Sequence, residues 1–168
     1  MSSTLAGRTQ PRPDQPATAP AARGIDPRGP QFTAALTAVV LVAVLAVASA
    51  STAAAIALTA VQALLFALGA FGGVQRTPHS WLFRTFVRPR LAPPAELEDP
   101  APPRFAQGVG LVFTVAALIA FAAGASTVGL VAIGLALVAA LLNAVFRFCL
   151  GCELYLLLHR LSPTPKHV

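Results

Sequence analysis

The sequence is short of charge. Only 11% of its 168 residues are Asp, Glu, Lys or Arg, against roughly a quarter in an ordinary soluble domain. None of them lies between Arg28 and Arg76, or between Arg104 and Arg147. Each uncharged stretch is about twice the ~20 residues that a helix needs to cross a hydrocarbon core, so a water-soluble fold is excluded. The signatures of common enzymes are missing as well. There is no H-E-x-x-H, no Gly-rich phosphate loop, no Ser-His-Asp set and no pocketed carboxylate pair. No basic patch is interleaved with aromatics, which removes nucleic acid as a partner. Cysteine is nearly absent: the chain has two, Cys149 and Cys152.

What is present is apolar bulk, 56% of the residues, arranged as an all-α membrane protein. Four spans are predicted near 32–50, 53–74, 106–123 and 128–148. Small and hydroxyl residues break each long stretch near its middle, as "SASTAA" at 49–54 and "GASTVG" at 124–129. The bilayer is thus the first partner. Residues 1–24 are rich in Pro, Ala and Arg with little apolar bulk, which predicts a disordered tail; 162–168 form a shorter one. The membrane domain is 25–161. The first span starts too far into the chain for a cleavable signal peptide.

All twelve Lys and Arg residues fall on the side that holds both termini and the central loop, and the two hairpins carry none. By the positive-inside rule that side is cytoplasmic, in the inner (plasma) membrane. The formal charge of +6 then belongs to topology and to anionic-lipid contact.

The chain repeats. "DPRGPQF" at 26–32 and "DPAPPRF" at 99–105 align as Asp-Pro-x-x-Pro-x-Phe, each just before a span. The prolines are expected to keep a helix from running in out of the loop. Two helical hairpins entering from one side predict a pseudo-twofold along the membrane normal. After the second span, "HSWLFRTFVRPRL" sets Trp81, Leu82 and Phe86 against Arg84, Arg88 and Arg90, a short amphipathic segment at the bilayer surface and a candidate interface. Gly69, Gly72, Gly73, Gly108, Gly110 and Gly134 are expected to let helices approach closely. Gln62, Asn143 and Gln107 are the polar side chains at depth. They are too few to argue strongly for transport.

Cys149 and Cys152 sit in "FCLGCELYLLLHR" at 148–160, at the mouth of the fourth span. On a continuing helix, positions three apart share a face, with Gly151 able to relax the backbone toward a disulfide. A C-x-x-C pair suits reversible dithiol chemistry, since one thiol resolves what the other forms. Glu153 is the candidate base, and Tyr155 and His159 extend the same face. Packing of two small apolar residues is the competing reading. Metal ligation is short of ligands, so no metal and no cofactor is expected. A purely structural disulfide runs against a reducing cytoplasm. Whether the fourth helix continues through the pair or breaks at Gly151 is open from sequence.

Taken together, "IDPRGPQF", "RPRL", "PPRFAQ" and "FCLGCE" in this order resemble the bacterial membrane proteins grouped as domain of unknown function 4395, from Ile25 to Arg160. The resemblance implies four spans, with Cys149 and Cys152 as the matched dithiol and Arg88, Pro89 and Arg90 as a matched surface motif. It also implies genomic company with thioredoxin-like proteins and rhodanese-type sulfurtransferases. The expected function is a cytoplasm-facing dithiol partner in thiol redox or sulfur metabolism. A small transporter for a sulfur compound or anion, and an assembly subunit without chemistry, are the alternatives. Self-association into a homo-oligomer is compatible with each.

Overall fold

A computed structural model describes residues 24–161. The expected tails, Gly24 apart, lie outside the described residues. The described chain is helical throughout: α1 (Arg28–Ala48), α2 (Thr52–Gly72), α3 (Pro78–Leu82), α4 (Ala101–Ala122), α5 (Ser126–Phe146) and α6 (Leu150–Leu161). Helices α1, α2, α4 and α5 are long and apolar enough to cross a membrane, which fits a multi-pass membrane protein. Valines and leucines such as Val39, Leu64, Val112 and Val138 project from them into the surroundings, as a lipid-facing surface should.

Helices α1 and α4 start four or five residues before the expected spans. No helix runs in from the preceding loop, and Pro30, Pro102 and Pro103 themselves sit in the first turn. The first N–H groups of a helix have no partner inside it, so proline's missing donor costs nothing there. The aspartate of each Asp-Pro motif makes the start. Asp26 Oδ1 accepts the Arg28 N–H at 3.0 Å, and Asp99 Oδ1 accepts the Ala101 N–H at 2.8 Å.

The hairpin turns differ from each other. Ser51 caps α2, its hydroxyl accepting the Ala54 N–H at 3.2 Å, while the second turn uses Gly124 at a φ of 77°. A positive φ is the conformation in which glycine avoids a Cβ clash.

Each hairpin packs beside the other. Helix α1 contacts α2 and α5, and α4 contacts α5 and α2, closing a ring of four. The dense core fills the hairpin half: Leu41, Val44, Ala55, Ala117, Phe121, Ile133 and Ala136. Close approach falls at particular glycines. A Cβ on Gly129 would lie 2.7 Å from the Phe121 ring, and one on Gly110 would lie 2.6 Å from the Phe66 ring. Gly72, Gly73, Gly108 and Gly134 have open space instead. Their small side chains therefore do not serve helix packing within this chain, contrary to expectation.

The pseudo-twofold shows in matched contacts at the charged end. Ile25 and Glu98 occupy equivalent repeat positions and exchange both backbone hydrogen bonds, at 2.8 and 2.9 Å, as residues flanking a twofold axis can. Gln31 of α1 donates to Ala144 O near the end of α5 at 2.9 Å. Its counterpart, Arg104 of α4, donates to Ala70 O and Phe71 O near the end of α2 at 2.6 and 3.3 Å. Each first-turn side chain thus satisfies carbonyls that a helix C-terminus leaves free. Phe32 and Phe105 are equivalent too: Phe32 packs on Phe83 and Phe105 on Tyr155, with ring centroids 5.8 and 5.7 Å apart.

The segment after α3 continues as a π-helical turn over Phe83–Val87 and a 3-10 turn over Arg88–Arg90. Its anchor is Phe83, 4% exposed. Trp81 and Phe86 face outward, edge to face at 6.0 Å.

Candidate functional site

The cysteines owe their place to the end of α5. Arg147 takes a left-handed conformation, φ 58°, and closes the helix with its N–H on Asn143 O at 3.1 Å, while the Phe148 N–H bonds Leu142 O at 3.2 Å. The first of these bonds, from the left-handed residue to the carbonyl four before it, is the αL closure of a helix C-terminus. The fourth span therefore stops before the cysteines, neither running through them nor breaking at Gly151.

The chain then turns into α6, with Cys149 immediately before it. The Cys149 carbonyl accepts the Glu153 N–H at 3.0 Å, and its sulfur accepts the Cys152 N–H at 3.3 Å. Cys149 thus holds the cap position of a twelve-residue helix. The two sulfurs are joined as a disulfide, with Cα atoms 5.1 Å apart, inside the normal range.

Gly151 sits between them for a different reason than backbone relief. A Cβ there would lie 2.6 Å from Ala106 Cβ and 2.7 Å from Ala106 Cα, so its lack of a side chain is what lets α6 dock on α4. Further along α6, Tyr155 packs between Phe105 and His159, the latter ring at 5.5 Å. Leu154, Leu157, Leu158 and Leu161 face outward. Glu153 is exposed in the first turn and meets the pair through its backbone N–H.

Cys149 also forms part of a cavity of about 330 Å³ in the charged half of the bundle. Ala34, Phe66, Ala136 and Ala140 form its buried wall. Exposed Leu135 and Val138 of α5, with Leu150 and Leu154 of α6, form its outer rim. Thr37, Gln107 and Asn143 add a hydroxyl and two amides. Behind Thr37, Gln62 is 1% exposed, donates to the Thr37 hydroxyl at 3.5 Å, and has a carbonyl oxygen without a partner.

The arginines belong to another wall. Arg84 and Arg88 border a separate cavity of about 240 Å³ with Asp26, Thr77 and Ser80. Arg90 donates to Phe86 O, and Trp81 stands on the outer surface. The α3 segment packs on α1 while α6 packs on α4, so the residues of the candidate interface are not brought to the cysteines. Asp26 is held below the usual carboxylate range, first by the side-chain hydrogen bonds from Arg28 at 2.9 and 2.8 Å, against some opposing burial. Burial lowers the His79 pKa below its ordinary value. Among the described residues no group of three His, Cys, Asp or Glu comes together as a metal site.

The cavity went unseen in the sequence, where Gln107, Thr37 and Asn143 are scattered over three spans. The two amides carried the only signal, as polar residues at depth.

A helical-hairpin repeat with four membrane-crossing helices and a cysteine pair at the start of α6 is the class that fold and site define. The chain belongs to the family described as Domain of unknown function (DUF4395), whose model matches residues 25–160. No curated protein and no solved structure matches it.

Proposed function

We propose that the protein is a membrane-embedded dithiol–disulfide exchange partner for a cytoplasmic thiol protein of the thioredoxin-like or rhodanese type. One observation carries the reading: the chain's two cysteines are close enough to be joined, and one of them caps a helix on the charged end of the bundle. The positive-inside rule supports a cytoplasmic address for that end.

In the exchange, a partner thiolate attacks Cys152 Sγ. The S–S bond breaks, and its electron pair leaves on Cys149. The Cys152 N–H, which already bonds Cys149 Sγ at 3.3 Å, faces the departing sulfur. A second partner thiolate then attacks the partner's own sulfur in the mixed disulfide and releases Cys152. The partner ends as a disulfide, and its two thiol protons balance the Cys149/Cys152 dithiol.

Acid quenching of intact cells followed by alkylation tests this. Cys149→Ser is expected to hold a cytoplasmic protein on Cys152 as a mixed disulfide that reductant releases. If neither single serine variant holds any protein, and the double variant behaves as wild type under oxidant and sulfur stress, the cysteines only pack.

A further inference from the structure

We propose that the cavity beside Cys149 binds the ring of a lipid-soluble quinone, which withdraws two electrons from the Cys149/Cys152 dithiol. This deepens the exchange reading and rests on it, since that reading supplies the reduced pair.

Three features of the cavity select the ligand. Its walls run from the bundle interior to lipid-facing Leu135 and Val138, so it is reached from the bilayer, and an occupant dissolved in lipid needs no aqueous path. Its lining is mainly apolar, with Phe66 and Phe113 present for ring packing and with Thr37, Gln107 and Asn143 as the polar groups. A flat apolar ring bearing two oxygens matches that chemistry. Its volume, about 330 Å³, is at the small end of ligand sites, enough for a ring while an isoprenoid tail stays in lipid.

Cys149 lines the cavity and Cys152 does not. A quinone held there lies beside the residue that caps α6. The chemistry balances without a metal. The Cys149 thiolate adds to a ring carbon, forming an S–C bond. The Cys152 thiolate attacks Cys149 Sγ, the S–S bond forms, and the S–C bond breaks with its electron pair passing to the ring. Two protons complete the hydroquinone. In sum, a dithiol and a quinone become a disulfide and a hydroquinone. The bundle interior contributes Thr37, Gln107 and Asn143 as partners for the ring oxygens.

The test uses the full chain in lipid nanodiscs, reduced chemically, freed of reductant and mixed anaerobically with menadione or a short-chain ubiquinone. Dithiol loss is followed by alkylation and quinone reduction by absorbance. The expected result is one quinone reduced per pair, with a rate that saturates in quinone. Ala139→Phe, which fills the cavity, should slow that rate at least tenfold while leaving oxidation by water-soluble diamide unchanged, which also reports an intact fold. Thr37→Val with Asn143→Leu should raise the quinone concentration at half-saturation. A rate that is linear in quinone and equal in wild type and both variants overturns the proposal. Saturable quinone reduction by a pair that no dithiol protein can reduce would sustain it while sinking the exchange reading. Reduction by a dithiol protein with no quinone reaction would do the reverse.

Discussion

Arg147 decides where the fourth span ends, and it does so in a conformation that suits glycine. A left-handed residue with a side chain costs about 1–2 kcal/mol, whereas glycine gives back about 0.5–1 kcal/mol in unfolded-chain entropy. Arg147→Gly should therefore raise the thermal midpoint in detergent slightly and leave the cysteines oxidisable. A lowered midpoint would mean that the Arg147 side chain holds the turn.

Asp26 and Asp99 are twins in the repeat with unequal partners, because only Asp26 also holds an arginine side chain. Amide hydrogen exchange in the first turns should quicken more for Asp26→Asn than for Asp99→Asn. Equal effects would reduce the Arg28 pair to a surface contact.

His79 gives a pH dependence of known sign. Its folded pKa is depressed by burial, so docking of α3 is at full strength above the ordinary histidine value of about 6.5. Below that value the undocked segment binds a proton first, and docking weakens as pH falls through the lower folded value. Fluorescence of Trp81, the only tryptophan, should follow an acid transition that His79→Gln removes.

At the scale of elements, α6 is the part on which the site depends, and Gly151 sets its distance from α4. Alanine would gain up to about 1 kcal/mol of helix propensity. The contact it forces on Ala106 is with backbone as well as side chain, and overpacking of that kind costs about 1–3 kcal/mol. Steric cost wins. Gly151→Ala should loosen α6, seen as faster alkylation of the reduced cysteines, while the four spans keep their helix content; unchanged alkylation would show that α6 yields without cost.

The four spans were legible because charge is absent from them and because their interruptions are short. Their starts were less so. Proline reads as a helix stop from sequence, and the first-turn exemption depends on Asp26 and Asp99 making the turn. The end of α5 was illegible for a related reason: an arginine gives no sign that it will take a left-handed angle. In the amphipathic segment the alternation picked out Trp81 and Phe86 as a bilayer-facing pair, and both face outward; Phe83, the ring buried against the bundle, gave no separate signal.

For the whole molecule, the two halves are alike where they meet at the charged end and unlike in what they add to it. The first copy adds Arg84 and Arg88 on one wall, the second adds the cysteine pair on another, and Pro30, Pro103 and Gln107 border both cavities. Gln31 and Arg104 make matching contacts, and so do Phe32 and Phe105. The repeat does not say which copy carries the cysteine pair, because the end of α2 has no cysteine. The same asymmetry separates the reactive reading from a scaffold, in which both walls would be interchangeable surface.

The central claim is that Cys149 and Cys152 cycle between dithiol and disulfide at the charged face. The most direct measurement is the oxidised fraction of the pair in intact cells, by acid quench and a mass-tagged alkylating agent, before and after a pulse of membrane-permeant oxidant. Both forms are expected at rest, with a shift to the disulfide on the pulse and recovery within minutes. A pair found in one state throughout, unmoved by the pulse, would contradict it.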